Sequence, residues 1–126
     1  VKLVLAVALG GAIGSVARHF VAGRITHLYG TAFPWGILTV NVVGSLIMGV
    51  LAEAMALKWD VSAETRAFLT VGILGGFTTF SSFSLDVAVL VERGETLNAA
   101  LYIALSVIAS VAALFAGLHL ARVVLG

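Results

Sequence analysis

The stretch Gly-Gly-Phe-Thr-Thr-Phe-Ser-Ser-Phe-Ser at residues 75–84 decides how this chain is read. It lies inside an apolar segment bounded by Arg66 and Arg93, close to the midpoint between those charges. If that segment crosses a bilayer, five hydroxyl side chains and two glycines sit near the membrane centre. Gly, Thr and Ser are mediocre helix formers, and Ser and Thr offer the backbone competing hydrogen bonds. The spacing therefore predicts a helix that breaks and restarts. Broken backbone at membrane depth is tolerated only where protein buries it or water reaches it. The carbonyls and amides so released bind ions in the discontinuous helices of transporters. An ion pathway is the working reading.

Composition agrees with a membrane location. Of 126 residues, 61% are hydrophobic and 10% charged, and the mean hydropathy is +1.17. A soluble domain carries about 25% charged residues. The net charge of +1 points to neither nucleic acid nor an acidic partner. The absence of cysteine removes disulfides, thiol chemistry and thiolate metal sites. Lys2 ahead of an apolar run resembles a signal peptide, but the run continues through Gly10, Gly11 and Gly14 to Arg18. A retained first span is expected.

Four apolar runs, about 3–21, 35–57, 68–91 and 97–125, are each long enough to cross a bilayer. The expected fold is all-α, one four-span transmembrane domain over residues 1–126, its third helix broken near the middle. Asp60 or Ser62 is placed to cap the third helix, with Glu64 in its first turn, and Thr96 to cap the fourth. Trp35, Trp59 and Tyr29 fall at predicted interfaces. Arg18 and His19 are expected to close the first helix.

Four spans put Lys2, Lys58, Arg66 and Arg122 on one side and Arg24, Arg93 and Arg18 on the other. That is almost no positive-inside bias. It suits a chain that inserts both ways and pairs with an inverted copy; a single orientation set by a small bias is the plainer alternative. The pairs Gly10/Gly14, Gly11/Ser15 and Ser45/Gly49 are each four apart and let helix backbones approach closely. Four helices barely enclose a polar path, whereas two copies would.

Within the spans, Asn41 lies about one turn inside Trp35. It reads either as an interhelical hydrogen bond or as a donor in an ion path. Asn98, Tyr102, Ser106 and Ser110 recur every four residues and line one slowly turning face of the fourth helix. The alternative is that these hydroxyls bond back to their own helix. All are neutral donors and none is a carboxylate, which suits an anion better than a cation. Phe77, Phe80 and Phe83, three apart, read as core packing or as rings whose positive edges face an anion. Asp86 and Glu53 are the acids placed to lie partly within the membrane. His19, His27 and His119 are scattered, against a metal cluster, and no spacing suggests an intramembrane enzyme.

The runs at 75–84, Gly-Gly-Ala-Ile-Gly-Ser-Val-Ala-Arg-His at 10–19 and Asn-Val-Val-Gly-Ser at 41–45 resemble the signatures of the Fluc fluoride channels. The resemblance covers essentially the whole chain in length, span count and motif order. It implies a dual-topology antiparallel homodimer with two fluoride pores, passively exporting toxic fluoride from the bacterial cytoplasm across the inner membrane. By the same resemblance Phe80 and Phe83 flank the ion, Asn41 is the pore asparagine, and Tyr102, Ser106 and Ser110 form the polar track. A structural sodium at the dimer centre would map to the backbone carbonyls of Gly75 and Thr78. His19 departs from the family pattern, which more often has an aromatic such as Tyr there.

Two other readings compete. A proton-coupled small multidrug or guanidinium exporter also has four spans, but needs an acid deep in the first helix; residues 3–17 contain none. A non-transporting assembly subunit explains the small-residue surfaces but not a polar track facing a broken helix.

Overall fold

The computed structural model describes residues 1–126. In chain order the helices are α1 (Lys2–Tyr29), α2 (Trp35–Leu57), α3 (Ala63–Ala67), a π-helical stretch (Phe68–Leu74), α4 (Gly75–Phe77), α5 (Phe80–Glu92) and α6 (Thr96–Leu125). The pieces from Ala63 to Glu92 join into one bent span. With α1, α2 and α6 they make four spans long and apolar enough to cross a membrane.

The first helix continues to Tyr29, past the expected end near residue 21. Arg18 and His19 therefore lie well inside it rather than closing it. What stops the helix is Gly30, at φ 82°, whose N–H donates to the Thr26 carbonyl at 2.7 Å. Only glycine takes that left-handed conformation without penalty. Ser62 does cap α3, its hydroxyl accepting from the Thr65 amide at 3.1 Å, and so the third span starts at Ala63. Thr96 does not cap α6. Gly94, at φ 79°, turns the chain early, and Thr96 is already the first helical residue behind Glu95.

Two helix pairs carry the packing, both through glycine. A Cβ at Gly49 of α2 would run into the Leu114 carbonyl of α6, and one at Gly117 of α6 into the Leu46 carbonyl of α2. A Cβ at Gly14 of α1 would run into the Ile73 carbonyl of the third span, and Gly10 lies against Phe68 and Gly72. The Gly10/Gly14 surface is thus used within the chain. Only 18 of 126 residues are buried, so most apolar side chains face outward, as lipid permits and water does not. A buried cluster of Leu38, Phe83, Leu90, Ala99 and Tyr102 lies between α2, α5 and α6.

Candidate functional site

The third span changes direction at Thr78 and Thr79, which take extended backbone conformations (φ -85°, ψ 158° and φ -155°, ψ 121°). Several of the backbone groups at the bend find partners on other elements or on nearby side chains. The Thr79 amide, which a continuous helix would send to the Gly75 carbonyl, donates to Asn41 Oδ1 at 2.8 Å. Asn41 Nδ2 donates in return to the Thr79 carbonyl at 3.1 Å. Thr79 Oγ1 caps α5 by accepting from the Ser82 amide at 3.1 Å. Thr78 Oγ1 donates to the Leu74 carbonyl at 2.9 Å. The Thr78 carbonyl accepts from Arg18 Nη1 at 3.3 Å. Neither Thr79 as the partner of Asn41 nor Arg18 at this depth was legible from spacing. The signal was there for Arg18: a charge within an apolar helix must find a polar partner.

Beside this bend lies a cavity of about 370 Å³ between α2, the Thr78–Phe80 segment and α6. Asn41, Ser45, Thr78, Thr79, Phe80, Phe83, Ser106 and Ser110 contribute to its wall, and no charged side chain does. The Ser106 hydroxyl is buried and has no hydrogen-bond partner. Elsewhere the local alternative holds: Thr70 and Ser84 bond back to the Arg66 and Phe80 carbonyls. An unpaired buried hydroxyl is unfavourable, so Ser106 is a donor free to meet something in the cavity. Phe80 and Phe83 lie with ring centroids 5.3 Å apart. They differ sharply in exposure, 78% against 8%. The first turn of α5, with its positive helix end, adjoins the same space.

The structure divides the four-residue ladder on α6. Ser106 and Ser110 reach the cavity. Tyr102 does not; fully buried, it stacks behind Phe83 at 5.1 Å and meets the edge of Phe33 at 5.6 Å. Its hydroxyl donates to Asp86 Oδ2 at 2.9 Å. Asn98 binds Glu95 Oε1 at 3.0 Å near the helix start. The second acid, Glu53, accepts from Arg122 Nε at 3.1 Å. Phe77 packs with Thr78 over Gly44 and lines no part of the cavity. Gly75 is exposed, its carbonyl released by the redirected Thr79 amide. The three histidines form no group with other metal-ligating side chains.

The model of a protein family described as CrcB-like protein, Camphor Resistance (CrcB), matches residues 5–118. A fluoride-specific ion channel FluC of Rhodospirillum centenum is 59% identical over 121 residues, 96% of each chain. One from Chelativorans sp. is 57% identical over 119 residues, 94% of this chain and 95% of its own. One from Nitrobacter winogradskyi is 51% identical over 121 residues, 96% of each.

Proposed function

The chain belongs to the CrcB-like family of fluoride-specific ion channels, and we propose that it carries fluoride passively out of the bacterial cytoplasm across the inner membrane. It is a multi-pass membrane protein and not an enzyme. The observation that carries the pathway is the uncharged cavity where the unpaired Ser106 hydroxyl, Asn41 and the Phe83 ring converge. A small anion leaving water must regain donors and meet no carboxylate. Neutral hydroxyls, an amide and ring edges supply that, and a proton-coupled exporter would need an acid here instead. Purified protein in liposomes should release fluoride spontaneously and retain chloride. Retention of fluoride, or efflux that requires a proton gradient, would overturn the reading.

The active unit in this reading is an antiparallel homodimer, in which the third span counts as a broken helix and Asn41, Phe80, Phe83, Tyr102, Ser106 and Ser110 serve the pore. With Arg18 bound to Thr78 at the bend, positive charges stand four against two: Lys2, Lys58, Arg66 and Arg122 against Arg24 and Arg93. Charge therefore favours one orientation more than the sequence tally allows. Support for a second copy comes from the outward face of the bend. Gly75, Phe80 and Ser81 are exposed there, and polar backbone at membrane depth requires cover other than lipid. A C-terminal tag reachable from only one side of whole cells would exclude the inverted pair.

A structural sodium is part of the same proposal. Its ligands would be the carbonyls of Gly75 and Thr78, all-oxygen donors suited to a hard cation. The Gly75 carbonyl lacks its helical amide, and the Thr78 carbonyl, with two lone pairs, already accepts from Arg18. When bound, the ion would supply positive charge to balance the carbonyl dipoles freed at the bend. The chain's own part is to keep the backbone out of the helix at this point, Asn41 taking the Thr79 amide and Arg18 the Thr78 carbonyl. Dimer stability that is unchanged when sodium is replaced by a large organic cation would rule this out.

A further inference from the structure

A second cavity, of about 230 Å³, opens at the end of the bundle where the 30–34 loop and the end of α5 meet. Thr26, Thr31, Phe33, Asp86 and Arg93 contribute to its wall. Tyr102 stands between the two cavities. One side of its ring packs on Phe83, a wall of the first cavity. The ring also meets Phe33, a wall of the second. Its hydroxyl donates to Asp86, a wall of the second, at 2.9 Å. A single buried side chain thus partitions two spaces, one apolar-walled with hydroxyls and one markedly polar.

We propose that the second cavity is the water-side mouth of the path that starts at the first, and that Arg93 is the charge gathering fluoride there. The inference rests on the channel reading above. Arg93 is anchored rather than adrift: Nη1 donates to the Thr31 carbonyl at 3.1 Å. The Glu95 carboxylate lies 3.9 Å away, a long, exposed contact that water screens. Asp86 in the wall opposes an anion, but it also holds the Tyr102 hydroxyl toward the mouth, where that donor can be handed to an arriving ion. A cation outside and a switchable donor at the throat set the order of events: capture at Arg93, then passage past Tyr102.

The absence of cysteine makes the test clean. Thr31→Cys protein is labelled in detergent with an anionic sulfonate thiosulfonate or a cationic trimethylammonium one, labelling is checked by mass, and fluoride efflux is measured in liposomes. The anionic label should slow efflux about tenfold relative to the cationic one, the scale on which a charged cleft alters ion arrival. A thiol that fails to react, or equal efflux with both labels, overturns the mouth. If the unsubstituted protein itself releases no fluoride, the channel reading fails instead. Arg93→Gln guards against a misfolded cysteine variant. It should slow efflux at about 0.01 M salt and match the parent near 1 M, where charges reach only about 3 Å. Arg93→Lys should restore the low-salt rate. A deficit equal at both salt concentrations would make Arg93 a packing residue and overturn its role.

Discussion

The α2–α6 pair and the pair formed by α1 with the third span use the same device and end differently. Both bring backbones together through glycine: Gly49 and Gly117 in the first pair, Gly10, Gly14 and Gly72 in the second. In the first pair both helices run unbroken, for 23 and 30 residues. In the second, α1 runs unbroken while its partner loses helical backbone at Thr78 and Thr79. Close packing through glycine is therefore not by itself what bends the third span. The hydroxyl-rich sequence lowers helix preference, and two neighbours hold the alternative: Asn41 from α2 takes up both backbone groups of Thr79, and Arg18 from α1 takes up the Thr78 carbonyl.

The largest effect should follow from removing that support. Asn41→Asp keeps an acceptor for the Thr79 amide but loses the donor to the Thr79 carbonyl and adds charge to an uncharged cavity. Interhelical hydrogen bonds in membranes are worth about 0.6–2 kcal/mol, so the folded protein should weaken by that order and still assemble. Fluoride efflux from liposomes should be abolished. Efflux near the parent rate would detach Asn41 from the path and leave it a brace for the bend alone.

The next effect separates the two phenylalanines on α5. Phe83 is in the buried cluster and Phe80 is 78% exposed in the single chain. Volume-conserving apolar swaps usually cost under about 1.5 kcal/mol. Phe83→Leu should therefore lower stability slightly and efflux strongly. Phe80→Leu should leave the single chain's stability unchanged and still lower efflux, because the ring edge is lost. Phe77, outside the cavity, is the control. Efflux that tracks stability equally at all three positions would make the stripe packing and nothing more.

Sequence patterns made most of this legible, and the exceptions are instructive. Hydropathy located four spans because lipid demands long apolar helices. The hydroxyl cluster marked the place where backbone leaves the helix. Periodicity on α6 brought Ser106 and Ser110 to one wall. It did not bring Tyr102 to that wall: the long side chain turns to Asp86 instead, because a helical face fixes direction and not reach. Arginine and histidine do not mark the end of α1; Gly30 sets it. The partnership of Arg18 with Thr78, 60 residues apart, has no trace in local pattern.

A smaller effect tests whether the two glycine seams differ in consequence. Gly49→Ala and Gly14→Ala each push a methyl into a facing carbonyl, and overpacking costs about 1–3 kcal/mol. Both should lower the unfolding midpoint in detergent. Only Gly14→Ala, whose Cβ would also press on the Phe77 amide just before the bend, should lower efflux among molecules that remain folded. Gly23→Ala, which meets open space, should change neither. Equal efflux losses at Gly14 and Gly49 would mean that the straight pair shapes the path as much as the bent span does.

The smallest effect is expected at the far end of the α2–α6 pair. There Arg122 binds Glu53 through Nε at 3.1 Å, with the arginine side chain 63% exposed and the carboxylate 13%. Arg122→Gln keeps one donor for the largely buried carboxylate, so the loss should be about 1 kcal/mol, that of a single hydrogen bond. Glu53 follows Asn41 by twelve positions on α2, which is about 18 Å along a helix. That exceeds the screening length of about 8 Å at physiological salt, so efflux should match the parent. Repeating the measurement at low salt sharpens the point. If efflux falls there while the unfolding midpoint holds, the straight pair carries its end charge to the path after all, and the division between a structural half and a conducting half fails.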